Sequence, residues 1–188
     1  MSLSPISATL LSAGLGGLVA ACVTDVRERI IHNEIVIYVL GVGVALRLVA
    51  TPELLWLSVA GAAFLLAVLA VFAAFEIIGH GDAKLISATM LLLPPQYDAQ
   101  LMANIAVAGG LLSCIYLAAR IVLRRRIPVP VRAGNGHQAG KPGGVFRDEL
   151  AKIAAGEPMP YAVAILCGVT YSIITEAVSC IFATSCSL

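Results

Sequence analysis

Charged residues are scarce in this chain of 188 residues: Asp, Glu, Lys and Arg together make up 12%, whereas 60% of the residues are hydrophobic. A soluble domain averages about 25% charged residues, so this composition excludes an ordinary water-soluble globular protein. We therefore expect an all-α, polytopic membrane bundle. The net charge of +1 identifies no partner by itself, and we expect contact with membrane lipid and none with nucleic acid.

Several motifs of other enzyme classes are missing. The five cysteines form no C-x-x-C pair and have no zinc-ligand spacing to the three histidines, so no metal, redox centre or cofactor is expected. The chain also lacks G-x-S-x-G and H-E-x-x-H, the motifs of serine hydrolases and zinc proteases. Cys180 and Cys186 lie near one end, and we expect unlinked thiols there unless that end faces an oxidising compartment.

Long apolar segments are abundant. A helix needs about 20 apolar residues to cross a membrane, and six segments approach that length. Their approximate bounds are 5–23, 34–49, 54–78, 83–93, 101–123 and 160–183. The fourth is short and stops at Pro94 and Pro95. We predict one domain, residues 1–188, with about six transmembrane helices.

The basic residues predict the orientation of these segments. If the first segment ends in the cytoplasm, the inner connections hold Arg27, Arg29, Lys84, Arg124, Arg125, Arg126, Arg132, Lys141, Arg147 and Lys152. The outer connections then hold only Arg47, at the end of a segment. Cytoplasmic loops are enriched in Lys and Arg, so we predict both termini outside and a basic cytoplasmic loop at about 124–158. Within this loop, residues 145–154 have the pattern of a short helix on the membrane surface.

Two aspartates stand at the inner ends of apolar segments. Asp25 follows the first segment, and Asp82 lies in Gly79-His80-Gly81-Asp82 after the third. A carboxylate near hydrocarbon costs several kcal/mol unless it lies at the water boundary or has a function. Asp82 is also explained as a helix cap and Asp25 as a solvated partner of neighbouring arginines, so neither residue alone identifies a site.

The wider pattern is more specific. Residues 25–33 (DVRERIIHN), residues 79–85 (GHGDAKL) and residues 159–164 (MPYAVA) together resemble the prepilin peptidase family of membrane aspartic proteases. The similarity extends over nearly the whole chain and is closest to the short members that serve tight-adherence (Flp-type) pili. The longer members carry an insertion with paired cysteines and also methylate the product. This chain has no C-x-x-C, so the resemblance implies a peptidase without a methyltransferase.

The resemblance implies roles for individual residues. Asp25 and Asp82 match the two catalytic aspartates, and the substrate-binding or supporting positions are Gly79, Gly81, Lys84, Arg27, Arg29 and Asn33. The chain departs from the family at His32, where proline is typical, and at His80, which is an unusual middle residue of the signature. A protonated His80 is expected to lower the pKa of the neighbouring acid.

The implied function is cleavage of prepilin leaders at the cytoplasmic face of the bacterial inner membrane. Two neighbouring carboxylates share one proton, so one activates water while the other protonates the carbonyl oxygen. Lys84 is expected either to stabilise ionised Asp82 or to bind substrate. Three alternatives stay open: a G-x-G-D peptidase for preflagellin-like proteins or signal peptides, a small proton- or cation-coupled transporter, and an inactive pilus-assembly scaffold.

Overall fold

The described part of the chain is helical. The computed structural model describes residues 5–126 and 159–185, with side chains for 5–122 and 159–176. Its α-helices are α1 (Pro5–Glu28), α2 (Asn33–Ala50), α3 (Leu55–Ala74), α4 (His80–Thr89), α5 (Asp98–Arg126) and α6 (Tyr161–Ser185). Short 3-10 helices cover Pro52–Leu54, Met90–Leu92 and Pro95–Tyr97. The described residues include no strand, which confirms the predicted all-α class.

The outer surface of these helices is apolar, as a membrane requires. Large hydrophobic side chains are exposed, among them Trp56 at 81% and Phe64 at 73% on α3. Four helical segments of the described part are long and apolar enough to span a membrane: Pro5–Glu28, Asn33–Ala50, Pro52–Ala74 and Pro95–Val122. The apolar part of α6 found among the described residues is shorter, Tyr161–Glu176. These helices support a membrane protein, whereas the count of six spans and the outside termini are not confirmed.

Helix α4 forms the core instead of facing lipid. With the following 3-10 helix it rises only about 21 Å, less than the ~30 Å of a bilayer interior. Most residues from Ala83 to Leu93 are buried, and Leu85 and Leu91 have exposures of 0% and 1%. The short fourth segment of the sequence is therefore a buried helix packed between α2 and α3. Its length had indicated a weak span, but its packing partners were not visible in the sequence.

Arg47 joins α2 to the far end of this buried element. Its side chain is 0% exposed, and it donates hydrogen bonds from Nε to the Leu91 carbonyl (3.0 Å) and from Nη2 to the Leu92 carbonyl (3.1 Å). Nη1 also donates to Oγ1 of Thr51 at 3.2 Å. The carbonyls that end a helix have no partner within the helix, and Arg47 satisfies two of them. Arg47 is thus a buried structural cation rather than a free charge at the end of a segment.

Several helix ends differ from the sequence-based bounds, among them the ends of α1 and α3. Helix α1 continues to Glu28, so Asp25 lies inside the helix rather than in a polar stretch after it. Helix α3 stops at Ala74, four residues before the predicted end at Ile78, because Glu76 adopts a left-handed conformation with φ 59°. The Ile77 amide then donates back to the Phe72 carbonyl at 3.1 Å, which closes the helix end.

The chain forms two compact units, Met1–Gly109 with Pro160–Leu188, and Gly110–Met159. In the first unit, α5 and α6 share polar contacts, such as the 2.8 Å hydrogen bond that Nδ2 of Asn104 donates to Oγ of Ser172. In the second, Ser113 donates to Sδ of Met159. The single-domain assignment stays a prediction. Most of the basic loop, its surface helix and the side chains of Cys180 and Cys186 lie outside the described residues, and Cys22, Cys114 and Cys167 are free.

Candidate active site

Asp25 is a buried carboxylate in the last turns of α1. Only 6% of its surface is exposed, which is low for an acid in an apolar protein. The helix ends just beyond it because Arg29 takes a left-handed φ of 58° and donates its amide to the Asp25 carbonyl at 3.0 Å. This helix end sets the position of Asp25.

The start of α6 binds the Asp25 side chain. The backbone amide of Ala162 donates a hydrogen bond to Oδ2 of Asp25 at 3.0 Å, in a buried environment. Ala162 lies in the first turn of α6, where amides have no helical partner and the helix dipole is positive. Both effects favour the ionised form of a carboxylate, whereas burial of Asp25 opposes it.

Asp82 is the third residue of α4 and is half-buried. Its carboxylate folds back towards Gly79, the residue that precedes the helix, and a Cβ atom at Gly79 would lie 2.7 Å from Oδ2 of Asp82. Gly79 has an ordinary φ of −63°, so glycine is needed for space rather than for an unusual backbone conformation. The first glycine of the signature therefore makes room for the acid.

The second glycine of the signature makes room for another segment. A Cβ atom at Gly81 would lie 3.0 Å from Cβ of Ile31, in the connection between α1 and α2. That connection follows directly from the end of α1 that carries Asp25. The close approach at Gly81 thus brings the helix of Asp82 against the connection that leaves the helix of Asp25.

The two acids are electrostatically coupled. Burial raises the pKa of the Asp82 carboxyl from 3.8 to about 6, and the nearby charge of Asp25 adds to this rise. Among the described residues nothing donates a hydrogen bond to the Asp82 carboxylate, while Asp25 receives the Ala162 amide. The neutral form is therefore favoured at Asp82.

Tyr161 completes the surroundings of the pair. It opens α6, is half-buried, and interacts electrostatically with the Asp82 carboxylate. The sequence offers an ordinary interpretation of this residue, an aromatic side chain at the membrane boundary, and does not assign it to the site. The only sequence signal was its position in the segment 159–164, which follows the basic loop and resembles the prepilin peptidase family.

The remaining predicted residues lie around the pair with different roles. Nζ of Lys84 donates to Oδ1 of Asn33 at 3.0 Å, which ties α4 to the first residue of α2. The rise in the Asp82 pKa has burial and Asp25 as its causes, so the structure gives no support to Lys84 as the partner of ionised Asp82. Arg27 is exposed on α1. These supporting roles stay predictions.

The two departures from the family pattern are both exposed. His32 precedes α2 with φ −69°, a value that proline also adopts, so the backbone course is preserved. Its Nε2 lies 3.2 Å from Oε2 of Glu28, a surface pair of small energetic value. His80 is the first residue of α4. Within the described residues, no group of three or more His, Cys, Asp and Glu is arranged to hold a metal ion.

The fold and the site together define a class of protein, an all-helical membrane protein with a coupled pair of carboxylates at two helix ends. A family model described as the type IV leader peptidase family matches residues 12–117, more than half of the chain. The chain therefore belongs to the type IV leader peptidase family, and this membership implies a membrane peptidase. The matched range includes both aspartates and both glycines of the signature. Comparisons with the curated proteins and with the solved structures found no match.

Proposed function

We propose that this protein is a membrane aspartic endopeptidase that removes the leader of Flp-type prepilins, with Asp25 and Asp82 as its catalytic pair. The observation that carries the proposal is the coupling of the two acids in a chain of the type IV leader peptidase family. A shared proton is what acid–base hydrolysis of a peptide bond needs. In this proposal Asp25 and Asp82 supply that proton.

The surroundings of each acid suggest its part in the reaction. Asp25, ionised beside the Ala162 amide, accepts a proton from water, and the oxygen of that water attacks the scissile carbonyl carbon. Asp82 donates its proton to the carbonyl oxygen as the tetrahedral intermediate forms. When the carbon–nitrogen bond breaks, Asp25 returns the proton to the leaving amine and Asp82 recovers one from the hydroxyl. One water is consumed, and both acids end in their starting states.

The substrate class follows from the family resemblance together with the membrane surface of the protein. Prepilins have a short basic leader, a glycine before the cleavage site and an apolar helix after it. A substrate with such a helix reaches the enzyme within the bilayer, where the apolar surfaces of α2 and α3 are exposed. The distribution of Lys and Arg favours an active site at the cytoplasmic face of the inner membrane.

The test is processing of a coexpressed Flp-type prepilin, followed as a gel shift. Wild type, Asp25→Asn and Asp82→Asn are compared at equal membrane levels, with Asp98→Asn as the matched control. Asp98 is also partly buried, but its electrostatic partner is Arg47 rather than the catalytic pair. We expect Asp25→Asn and Asp82→Asn to abolish processing and Asp98→Asn to retain it.

Other outcomes of the processing assay favour other functions. If either asparagine variant of the pair processes the prepilin normally, that residue does not belong to the catalytic pair. If wild type leaves the prepilin intact, preflagellin-like proteins and signal peptides are the next substrates, tested in the same assay. If no substrate is cut, proton-coupled transport by the same two acids becomes the leading alternative.

A further inference from the structure

The hydroxyl of Tyr161 is a polar group beside the acid pair that the mechanism above does not use. Tyr161 is the first residue of α6, and the amide of the next residue, Ala162, is bound to Oδ2 of Asp25. This hydrogen bond fixes the backbone from which the tyrosine side chain extends. A side chain on a fixed backbone in a first helical turn has few positions open to it.

Helix α5 restricts the ring of Tyr161 further. A Cβ atom at Gly109 would lie 2.7 Å from the tyrosine Oη, 2.8 Å from Cε2 and 3.0 Å from Cζ. The end of the ring therefore lies directly against the Gly109 backbone, in space that the Cβ atom of any other residue type at position 109 would occupy. The hydroxyl is also close enough to Asp82 to interact with its charge. Tyr161 thus lies against Gly109, interacts with the charge of Asp82, and precedes the residue that binds Asp25.

This hydroxyl is available to a ligand. Within residues 5–122 and 159–176 it has no hydrogen-bond partner. A phenolic hydroxyl is a donor that usually finds a partner when it is buried. Tyr161 is half-buried, so its hydroxyl donor is not closed off from a bound substrate.

We propose that Tyr161 is a further catalytic residue, whose hydroxyl donates a hydrogen bond to the carbonyl oxygen of the scissile peptide bond. The inference rests on the proposed peptidase function. This oxygen gains negative charge as water attacks, and it then has two donors, Tyr161 and the proton of Asp82. The tyrosine keeps its own proton, so no bond to hydrogen is broken at Tyr161.

The direct test is Tyr161→Phe, which removes one oxygen and leaves the ring. Tyr171→Phe is the matched control, because Tyr171 is an exposed tyrosine on the same helix. Purified enzyme in detergent and a Flp-type prepilin give kcat and KM, and a melting curve gives the thermal midpoint. We expect kcat of Tyr161→Phe to fall on the order of 100-fold, with KM and the midpoint unchanged. Tyr171→Phe is expected to behave as wild type.

A second pair of variants moves the hydroxyl without removing it. Gly109→Ala places a methyl group where the end of the tyrosine ring lies, whereas a Cβ atom at Gly110 would have no neighbour within 4 Å. Both alanines increase helix propensity equally, so the difference between them isolates the tyrosine. We expect a fall in kcat on the order of 10-fold for Gly109→Ala and none for Gly110→Ala.

The outcomes separate this inference from the proposed function. Wild-type kcat in Tyr161→Phe overturns the inference while leaving the acid pair in place. A higher KM with unchanged kcat, or a lower thermal midpoint that accounts for the lost activity, also overturns it, because these are signs of substrate packing or of a structural role. Cleavage that survives Asp82→Asn, or no cleavage by wild type, contradicts the proposed function itself and this inference with it.

Discussion

The backbone amide of Ala162 donates a 3.0 Å hydrogen bond to Oδ2 of Asp25, across a separation of 137 positions in the chain. This contact holds the start of α6 against the end of α1. It also distinguishes the two acids, since Asp82 receives no hydrogen bond within the described residues. Burial raises the pKa of Asp82, which is why the proposed mechanism places the proton on Asp82 and the negative charge on Asp25.

The coupling of the acids is open to direct measurement. In Asp25→Asn the negative charge beside Asp82 is lost, so the pKa of Asp82 is expected to fall below about 6. It is expected to stay above 3.8, because burial is the larger cause of the rise. Titration of a ¹³C-labelled Asp82 carboxyl by NMR measures this value. Asp98→Asn is the control, in which the pKa of Asp82 is expected to stay at its wild-type value. An Asp82 pKa that is unchanged in Asp25→Asn would contradict the coupling of the two acids.

Activity is expected to fall on the alkaline side of a pH near 6. Asp82 has to be protonated to donate, and burial together with Asp25 raises its pKa to about 6. The pKa of Asp82 in the folded protein lies above its value in the unfolded chain. The protonated form of Asp82 therefore dominates below about pH 6 and is lost as the pH rises above that value. The measurement is kcat/KM for prepilin cleavage between pH 4.5 and 8, which reports the free enzyme.

His80→Ala tests whether the imidazole of His80 shifts the alkaline limb of the pH profile, which is the pH range in which activity falls. Burial and Asp25, rather than His80, are the causes of the raised Asp82 pKa, so we expect the limb to stay where it is in wild type. If the limb moves to higher pH in His80→Ala, a protonated His80 lowers the pKa of Asp82 in wild type, as the sequence alone suggests. The two outcomes are opposite and are read from the same pH series.

Gly79→Ala is expected to lower activity while leaving the fold intact. The added Cβ atom would lie 2.7 Å from Oδ2 of Asp82, so the carboxylate has to move. A φ of −63° suits alanine, which leaves the helix start unstrained. We expect a fall in kcat/KM of about 10- to 100-fold with an unchanged melting curve. Gly41→Ala, where a Cβ atom has no neighbour within 4 Å, is the control. Full activity of Gly79→Ala would show that the Asp82 position tolerates displacement.

Arg47→Met is expected to destabilise the protein. The variant leaves the carbonyls of Leu91 and Leu92 buried without their donor, at a cost of about 1–3 kcal/mol for each. Arg47→Lys keeps the charge but loses the planar fork that reaches both carbonyls, so it is expected to recover only part of the stability. Melting curves in detergent measure the loss. Arg120→Met is a suitable control, because Nε of Arg120 has no hydrogen-bond partner among the described residues. A wild-type midpoint in Arg47→Met would exclude the anchoring role.

Much of the fold follows from information that is local in the sequence. The apolar segments at 5–23, 34–49 and 101–123 correspond to α1, α2 and α5 because hydrocarbon favours a continuous run of apolar side chains in a helix. The segment at 83–93 was harder to assign. Its length predicted a poor span, but only its burial between α2 and α3 shows that it is a core helix.

The residues of the candidate site also differ in whether the sequence identifies them. Asp25 and Asp82 are conspicuous in the sequence because carboxylates are costly in an apolar chain and because the two glycines of the signature mark a close approach. Tyr161 and Arg47 were not recognised as parts of the architecture. Each has an ordinary interpretation from its neighbours in the chain. The carbonyls of Leu91 and Leu92 lie 44 and 45 positions from Arg47, and Gly109 lies 52 positions from Tyr161.

The amino-acid sequence alone was sufficient to determine the helical membrane class and the family resemblance, since these depend on composition and on motifs within the chain, and it singled out Asp25 and Asp82 as candidates. Only the tertiary structure shows that the two acids have different surroundings. The donor to Asp25 is a backbone amide. Nearly every residue carries this group, so the side chains in the sequence do not indicate which amide is the donor. Its significance arises only when folding places the first turn of α6 beside the end of α1.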